Sequence, residues 1–439
     1  MTAPATPRAS VLAHRDFRWL LAGSGLSMLG DQFTLVALPW AVLQATRDPL
    51  ALGAVVAAAG LPRAALLLVG GAMVDRGSPR TVLWQSRLAS AVLVALMAGG
   101  AAAGVLSFPL LLALSAAIGI VTAFGHPAGS ALLPQVVPGP QLVAANGLVM
   151  AVRQVGMLVG PALAGVAIAT LGATGQGATR GVVLAFTLDA ASFAFSAWTV
   201  ARLPRGLVTA TATATAADPA AAAGATVAPH PRPSLGADIA ASLRALWQDV
   251  PLRTLLLYVA AVAFFVGGPI QVALPVLAAG MPQGAAAFGL LLTGHGLGVL
   301  AGMALAAARP HWRLGTLGWT LLVIDATSGA AFVLFGHVHA LWQGLLLLAP
   351  LGALGGFVQV AVVAWLQRRV PPQRLGRTMS LFMLLLLGLA PLASAVAGLA
   401  LRLLAPAALF TASGLALLAI VLVGAVVTPI RQIGDDRAA

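Results

Sequence analysis

The chain of 439 residues contains no cysteine, no lysine and no glutamate, so its bases are 24 arginines and its acids are 11 aspartates. Without lysine there is no Walker-A amine for a nucleotide phosphate and no Schiff-base amine, and without cysteine there is no thiolate nucleophile or thiolate metal ligand. No Ser-His-Asp spacing, metal cluster or carboxylate pair converges on a predicted face. The sequence therefore argues against an ATP-driven pump or an enzyme, and we expect no cofactor and no metal.

Charge is also scarce, because only 8% of the residues are charged while 60% are hydrophobic. A soluble domain could not hydrate such a surface, so lipid is the expected solvent and the bilayer the expected partner. The net charge of +13 comes from arginines in short loops between apolar stretches. That placement is typical of membrane topology and does not suggest a nucleic-acid partner.

Apolar stretches long enough to cross a bilayer, which needs about 20 residues per helix, recur twelve times. The sequence predicts an all-α membrane protein with spans at 17–44, 50–74, 81–103, 108–133, 142–170, 181–203, 251–279, 285–308, 314–336, 340–366, 378–403 and 406–428.

These spans predict five segments, of which the middle one is a linker over residues 204–250. The linker is rich in Ala, Thr and Pro and ends in an amphipathic helix over residues 235–249, predicted to lie on the membrane surface. The other segments are an N-terminal tail, two six-helix bundles and a C-terminal tail, at 1–16, 17–203, 251–428 and 429–439.

The distribution of arginine predicts the orientation, because 18 arginines fall on one side of the membrane when the N-terminus is placed inside. Both termini are therefore predicted to be cytoplasmic, in the inner (plasma) membrane of the cell. Arg63, Arg87 and Arg153 fall within helices, and Arg87 is close enough to the cytoplasmic end to be expected to reach the membrane surface.

Three pairs of matching segments indicate an internal repeat. Val36-Ala-Leu-Pro39 recurs as Val272-Ala-Leu-Pro275, Val137-Pro138 as Val370-Pro371, and Pro161 as Pro391, with offsets of 236, 233 and 230 residues by subtraction. Two related six-helix bundles with the binding site between them are the plan of a transporter that works by alternating access.

The loop after the second span carries Gly71-Ala-Met-Val-Asp75-Arg76-Gly77-Ser-Pro-Arg80. This string resembles the G-x-x-x-D-R-x-G-R-R signature of the major facilitator superfamily, with Ser78 and Pro79 departing from it. The resemblance implies a cytoplasmic gate in which Asp75 and its arginines hold the two bundles together, with Arg377 at the start of the eleventh helix as the partner.

The fifth span carries Gly156-Met-Leu-Val-Gly160-Pro161-Ala-Leu-Ala-Gly165. It resembles the antiporter motif G-x-x-x-G-P-x-x-G-G of that superfamily, with Val166 in place of the last glycine. Physically, the glycines permit close helix contact and the proline permits a bend. Ordinary small-residue packing explains the same string, so export is implied by the resemblance alone.

Leu133-Pro-Gln-Val-Val-Pro138, Leu142-Val-Ala-Ala-Asn146, Gln367-Arg-Arg-Val-Pro371 and Leu375-Gly-Arg-Thr-Met-Ser380 resemble the branch that contains macrolide-efflux and enterobactin-export proteins. The resemblance implies the major facilitator fold, with two pseudo-symmetric six-helix bundles. It also implies proton-driven efflux of a drug-like or siderophore-like amphipathic small molecule, by a functional monomer.

Asp31 lies near the middle of the first span, where an unpaired carboxylate costs about 2.5–3.5 kcal/mol. We expect it to carry the coupled proton, with Arg153 and Arg63 as candidate partners. The competing interpretation is a permanent ion pair with one of these arginines, which could otherwise attract an anionic substrate.

Further polar side chains fall at depths that suit a substrate cavity, and each is equally able to connect helices instead. They are Gln32, His126, Gln154, Gln271, His295 and Gln359. Asp189 and Asp325 belong to helices that the resemblance places at the edge of the bundle, where structural hydrogen bonding is expected.

Two alternative functions stay open from the sequence. One is a lipid or lysophospholipid mover, for which Arg63 at headgroup depth is the only hint. The other is a non-transporting membrane receptor or assembly protein on the same fold, in which Asp31 would be dispensable.

Overall fold

A computed structural model of the chain describes residues 10–172, 177–204, 247–309 and 311–434. Twelve helices in it are long and apolar enough to cross a membrane. We number them α1 (Arg15–Thr46), α2 (Pro49–Arg76), α3 (Pro79–Ala102), α4 (Phe108–Val136), α5 (Leu142–Gly172), α6 (Gly177–Ala201), α7 (Val250–Ala279), α8 (Ala285–Ala308), α9 (Leu317–Phe335), α10 (Leu341–Arg369), α11 (Pro372–Ala400) and α12 (Pro406–Val427). The prediction of an all-α protein with twelve spans is confirmed.

Several helices begin at a polar cap followed by proline. The side chain of Asp48 accepts a hydrogen bond from the backbone N–H of Leu50 before α2, and Ser78 does the same for Thr81 before α3. These bonds satisfy backbone donors that have no partner within the helix, and the adjacent proline has no N–H to satisfy. The next helix can therefore start at once, and only two residues connect α1 to α2 and α2 to α3.

Because successive helices run in opposite directions, the loops lie at two ends of the bundle. The linker end carries residues 77–78, 137–141 and 309–316 and the beginning of α1. The far end carries residues 47–48, 103–107 and 280–284. The predicted linker lies outside the described residues except for Pro204 and residues 247–250, and so does most of its predicted amphipathic helix.

The six helices of each half pack in the same pattern. In the first half α1 packs against α5 and α6, α2 against α4, and α3 against α6. In the second half α7 packs against α11 and α12, α8 against α10, and α9 against α12. Each contact recurs six helices later, which is the pseudo-symmetry that the repeated segments predicted.

The halves meet mainly through two helix pairs, α2 with α11 and α5 with α8, which are also related by the pseudo-symmetry. The repeated segments starting at Val36 and Val272 both lie in the buried core between these pairs. In α7, residues Pro269–Ala273 form a π-helical turn just before Pro275, whose ring removes one backbone donor. Helix α1 stays α-helical through Pro39.

Candidate functional site

Each helix of the first half contributes one ionisable side chain to a single polar cluster, which we call the N-half cluster. Its members are Asp31, Arg63, Arg87, His126, Arg153 and Asp189, on α1 to α6 in order. Electrostatic interactions connect them: Asp31 with Arg63, Arg87 and Asp189, and His126 with all three arginines.

Asp31 is oriented by the residues on either side of it. Gly30 packs against Ser192 and Asp189 on α6, and Gln32 packs against Gly160 on α5. The carboxylate of Asp31 is exposed to solvent, although its charged neighbours lie on α2, α3 and α6. Its exposed surface therefore faces the interior of the bundle and not the lipid.

No guanidinium nitrogen lies within 4.0 Å of the Asp31 carboxylate in the described part of the chain. Arg63 and Arg87 are close enough for Coulomb attraction but do not form a closed ion pair with it. Asp31 therefore keeps a carboxylate that solvent can reach.

Asp189 occupies a different environment, although it belongs to the same cluster. Its side chain is buried and accepts hydrogen bonds from the hydroxyl groups of Thr34 on α1 and Ser192 on α6. It lies where α1 meets α6 and interacts with Asp31 and Arg87. The structural hydrogen bonding that the sequence predicted for Asp189 is confirmed.

The expectation that Arg87 reaches the membrane surface is wrong. Its guanidinium lies over the ring of Phe193 on α6, 5.4 Å from the ring centroid, and interacts with Asp31 and Asp189. Its Nε is buried and has no hydrogen-bond partner. The two acids attract the arginine inward, and their positions on α1 and α6 could not be known from the spacing within α3.

Arg153 and His126 are exposed, and Arg63 is partly exposed, so that solvent reaches the cluster from several helices. Of the other polar candidates, Gln359 is exposed, and Gln32, Gln154, Gln271 and His295 are partly exposed. The Nδ1 of His295 lies 3.4 Å from the carbonyl oxygen of Leu348 on α10.

Asp325 is buried in the second half, close to the hydroxyl of Tyr258 on α7. Tyr258 in turn packs against Gly424 on α12. These contacts join α7, α9 and α12 within the second half.

The glycines of the predicted antiporter motif face two different helices. Gly156 and Gly160 contact α1, where a Cβ on Gly160 would lie 2.6 Å from Cβ of Gln32. Gly165 faces α8, where a Cβ would lie 2.5 Å from the carbonyl oxygen of Ala285. The carbonyl of Pro161 occupies the space that a Cβ on Gly289 of α8 would need. The motif therefore connects the N-half cluster to the contact between the halves.

The α2–α11 contact is built in the same way. A Cβ on Gly53 would lie 2.5 Å from the carbonyl oxygen of Ser394 and 3.0 Å from Cα of Gly398. Gly60 packs against Pro391, which is the repeat counterpart of Pro161. Because these glycines and those of the α5–α8 contact lie in the far-end portions of their helices, the two contacts seal the far end.

An ion pair between the halves lies beyond these contacts, at the far end. Arg402, after α11, donates hydrogen bonds to the carboxylate of Asp48, before α2. These bonds hold the pKa of Asp48 below its ordinary value of 3.8. The sequence alone does not connect Arg402 with Asp48, because 354 residues separate the two.

The predicted gate at the linker end is described only in part. The side chains of Asp75, Arg76 and Arg377 lie outside the described part of the chain. Gly77 ends α2, and a Cβ on Gly71 would meet nothing within 4 Å. Arg80 donates hydrogen bonds to the carbonyl oxygens of Leu203 (3.0 Å) and Ala201 (2.7 Å) at the end of α6. In this conformation Arg80 therefore stabilises a helix end within its own half.

Twelve membrane-length helices, in two related halves around a solvent-accessible polar centre, define a membrane transport protein. A family model described as the Major Facilitator Superfamily matches residues 20–395, and the chain belongs to that superfamily. It is a transporter and not an enzyme.

Among curated proteins, the chain is similar to the multidrug efflux pump Tap of Mycobacterium tuberculosis (strain ATCC 25618 / H37Rv). The two are 28% identical over 401 residues, which are 86% of this chain and 85% of the relative. A Tap pump of Mycolicibacterium fortuitum is 36% identical over 168 residues, or 36% of this chain and 38% of the relative.

Solved structures share the fold at low sequence identity. The nucleoside transporter NupG superposes with a TM-score of 0.70 at 12% identity, over 94% of this chain and 98% of that one. A bacterial homologue of the iron transporter ferroportin, in an inward-facing state, has a TM-score of 0.66 at 20% identity, over 95% and 98% of the two chains.

Proposed function

We propose that this transporter exports amphipathic small molecules in exchange for protons, and that Asp31 carries the proton. The observation that supports this role is the position of Asp31 inside the first half, where solvent reaches its carboxylate and no arginine closes an ion pair with it. Export is supported by the similarity to the Tap multidrug efflux pumps.

The conformation of the molecule corresponds to one stage of this cycle. With both termini in the cytoplasm, as the arginine distribution predicts, the linker end is cytoplasmic and the cavity opens inward. Asp31 then releases its proton to the cytoplasm while the cargo enters the cavity. Rocking of the halves closes the linker end and opens the far end, where cargo leaves and a proton from the acidic exterior binds Asp31.

The contacts between the two halves are formed at glycines, which allows the halves to rock. The α2–α11 and α5–α8 contacts bring backbones together at Gly53, Gly165 and Gly289, so the helices separate there with little side-chain rearrangement. At the linker end, Gly71 has open space above it, and we propose that α11 fills that space in the outward-facing state. The gate formed by Asp75, Arg76 and Arg377 would then close.

Everted membrane vesicles with an imposed pH gradient test the proposal. Three fluorescent amphiphiles of different charge serve as probes: the sulfonate 1-anilinonaphthalene-8-sulfonate (ANS), the neutral N-phenyl-1-naphthylamine (NPN) and the cation rhodamine 6G. We expect native protein to accumulate at least one of them only when the gradient is present, and Asp31→Asn to abolish that accumulation.

Asp325→Asn is the matched control, since it removes an intramembrane carboxylate from the other half. Asp31→Glu should restore part of the activity, because it keeps a titratable carboxyl group. Transport that ignores the gradient, or full activity in Asp31→Asn, would overturn the proton-carrying role.

A further inference from the structure

Three guanidinium groups of the N-half cluster lack the partners that buried arginines normally have. Within the described residues, Arg63, Arg87 and Arg153 make no hydrogen bond and no ion pair shorter than 4.0 Å. Arg87 has its cation–π contact with Phe193, but its Nε is buried and unpaired. A buried unpaired donor is costly, so the Nε of Arg87 favours the arrival of an acceptor, and Arg63 and Arg153 leave their N–H donors available to it.

Acceptors within the cluster are too few for these donors. Three arginines face two carboxylates, which leaves an excess of one positive charge when both acids are ionised. Asp189 already accepts hydrogen bonds from Thr34 and Ser192, so its capacity is partly used. A bound anion would balance this charge.

The polar candidates of the second half carry no permanent charge. Gln271 and Gln359 are amides, and His295 lies against the carbonyl oxygen of Leu348. The acid of the second half, Asp325, is buried beside Tyr258. The second half therefore suits an uncharged portion of a ligand, and the first half suits an anionic portion.

We infer, building on the transport cycle proposed above, that the cargo is an amphiphilic organic anion. Its carboxylate, sulfonate or phosphate group would be held by Arg63 and Arg153, with Arg87 behind them, and its apolar body would lie against α7, α8 and α10. Guanidinium groups suit this role because their planar N–H donors pair with two oxygens of an oxyanion at once.

Antiport requires that proton and cargo occupy the site in turn, so the cargo must leave the outward-facing site before the proton arrives. Because Arg63 and Arg153 both belong to the first half, rocking would carry them together away from α7, α8 and α10, and the apolar body of the anion would lose its contacts there.

Binding of ANS and NPN to the purified full-length protein, in nanodiscs of phosphatidylcholine, tests the inference directly. The two probes share an anilinonaphthalene body, and only ANS carries a sulfonate. Calorimetry with empty nanodiscs as the reference separates protein binding from lipid partitioning. We expect native protein to bind ANS at least about tenfold more tightly than NPN, and Arg63→Gln and Arg153→Gln each to remove most of that preference.

Arg63→Lys keeps the charge and should keep part of the preference, which distinguishes charge recognition from misfolding. Arg180→Gln, at an exposed arginine of α6 outside the cluster, should leave both affinities unchanged. Equal affinities for ANS and NPN in native protein, or a preference that survives both glutamine variants, would overturn the inference.

Nanodiscs containing phosphatidylglycerol distinguish two sources of the anionic group. If an anionic lipid occupies the site, ANS affinity falls in native protein as phosphatidylglycerol is added but stays constant in Arg63→Gln. If soluble anions are preferred, the affinity for ANS stays constant in native protein and in Arg63→Gln. Either result supports an anion site. Proton-driven, Asp31-dependent transport of NPN or rhodamine 6G without ANS preference would refute the anion site while leaving the exchange cycle intact.

Discussion

Arg402 reaches across from the end of α11 to Asp48 at the start of α2, with Nη2 2.5 Å from Oδ2 and Nε 3.4 Å from Oδ1. Asp48 also caps α2 through the N–H of Leu50, 2.9 Å from its Oδ1. One carboxylate therefore both starts a helix of the first half and holds the second half against it. The ion pair stabilises the conformation in which the far end is sealed.

Breaking this pair should favour opening of the far end. In Asp48→Asn the amide keeps an oxygen for the α2 cap but loses the charge that attracts Arg402. Because exposed ion pairs are weak, we expect the far-end-open population to rise only about two- to fivefold. Spin labels at Val105→Cys and Trp342→Cys, in a chain without native cysteine, report the far-end distance. An unchanged distance distribution in both Asp48→Asn and Arg402→Gln would contradict the role of the pair.

The same labels test the pH dependence. Hydrogen bonds from Arg402 lower the pKa of Asp48 in the sealed state, so the pair stabilises that state above the ordinary pKa of 3.8. The stabilisation is lost as pH falls through the lowered pKa, since protonation is easier in the open state. We expect no change from this pair between about pH 5 and pH 8 and opening only below about pH 4. An Asp48-dependent change near neutral pH would contradict this assignment.

Gly289→Ala should disfavour the sealed far end, because its Cβ would occupy the position of the Pro161 carbonyl. Overpacking of this kind costs about 1–3 kcal/mol, so the sealed population should fall by roughly 5- to 100-fold. The spin-label distance measures the shift. Gly99→Ala is the matched control, because a Cβ there meets nothing within 4 Å. Equal behaviour of the two variants would mean that the α5–α8 contact does not seal the far end.

Arg80→Gln should lower thermal stability by removing the two hydrogen bonds that end α6. Hydrogen bonds from a charged donor contribute about 1.5–3 kcal/mol when well shielded, and we expect about 1 kcal/mol here because the site is partly exposed. Thermal unfolding monitored by size-exclusion chromatography checks this, with Arg180→Gln as the control. A variant that melts like native protein but does not transport would assign Arg80 to the gate instead.

Gly30→Ala tests the packing that orients Asp31. The new methyl group would overlap the hydroxyl of Ser192 and lie 2.6 Å from Oδ1 of Asp189. We expect a loss of about 1–3 kcal/mol in stability, partly recovered in the double variant Gly30→Ala, Ser192→Ala. Thermal unfolding of the single and double variants measures both effects. No recovery in the double variant would show that α1 does not rest on Ser192 as described.

Much of the fold could be predicted because it follows from local composition. Apolar runs of bilayer length determine where helices lie, and the repeated Val-Ala-Leu-Pro segments at Val36 and Val272 indicated the duplication before any contact was known. Caps such as Asp48 and Ser78 define where α2 and α3 begin within a few residues. These signals act over distances of one or two helical turns.

The partners of charged residues could not be predicted in the same way. Arg87 lies near one end of α3 in the sequence, and only the position of α1 and α6 beside it reveals the acids that attract it inward. Structural hydrogen bonding was expected for Asp189, but spacing within α6 does not show that Thr34 on α1 is its partner. Such pairings depend on the packing of several helices, which no single stretch of sequence encodes.

Proton movement driven by cargo tests the central claim most directly. Purified protein in liposomes, with a gradient of a transported amphiphile and no initial pH gradient, is followed with a trapped pH-sensitive dye. The account predicts that native protein moves protons opposite to the cargo, that Asp325→Asn does so at a comparable rate, and that Asp31→Asn moves none. Proton movement in Asp31→Asn at the rate of native protein would contradict the claim that Asp31 carries the proton.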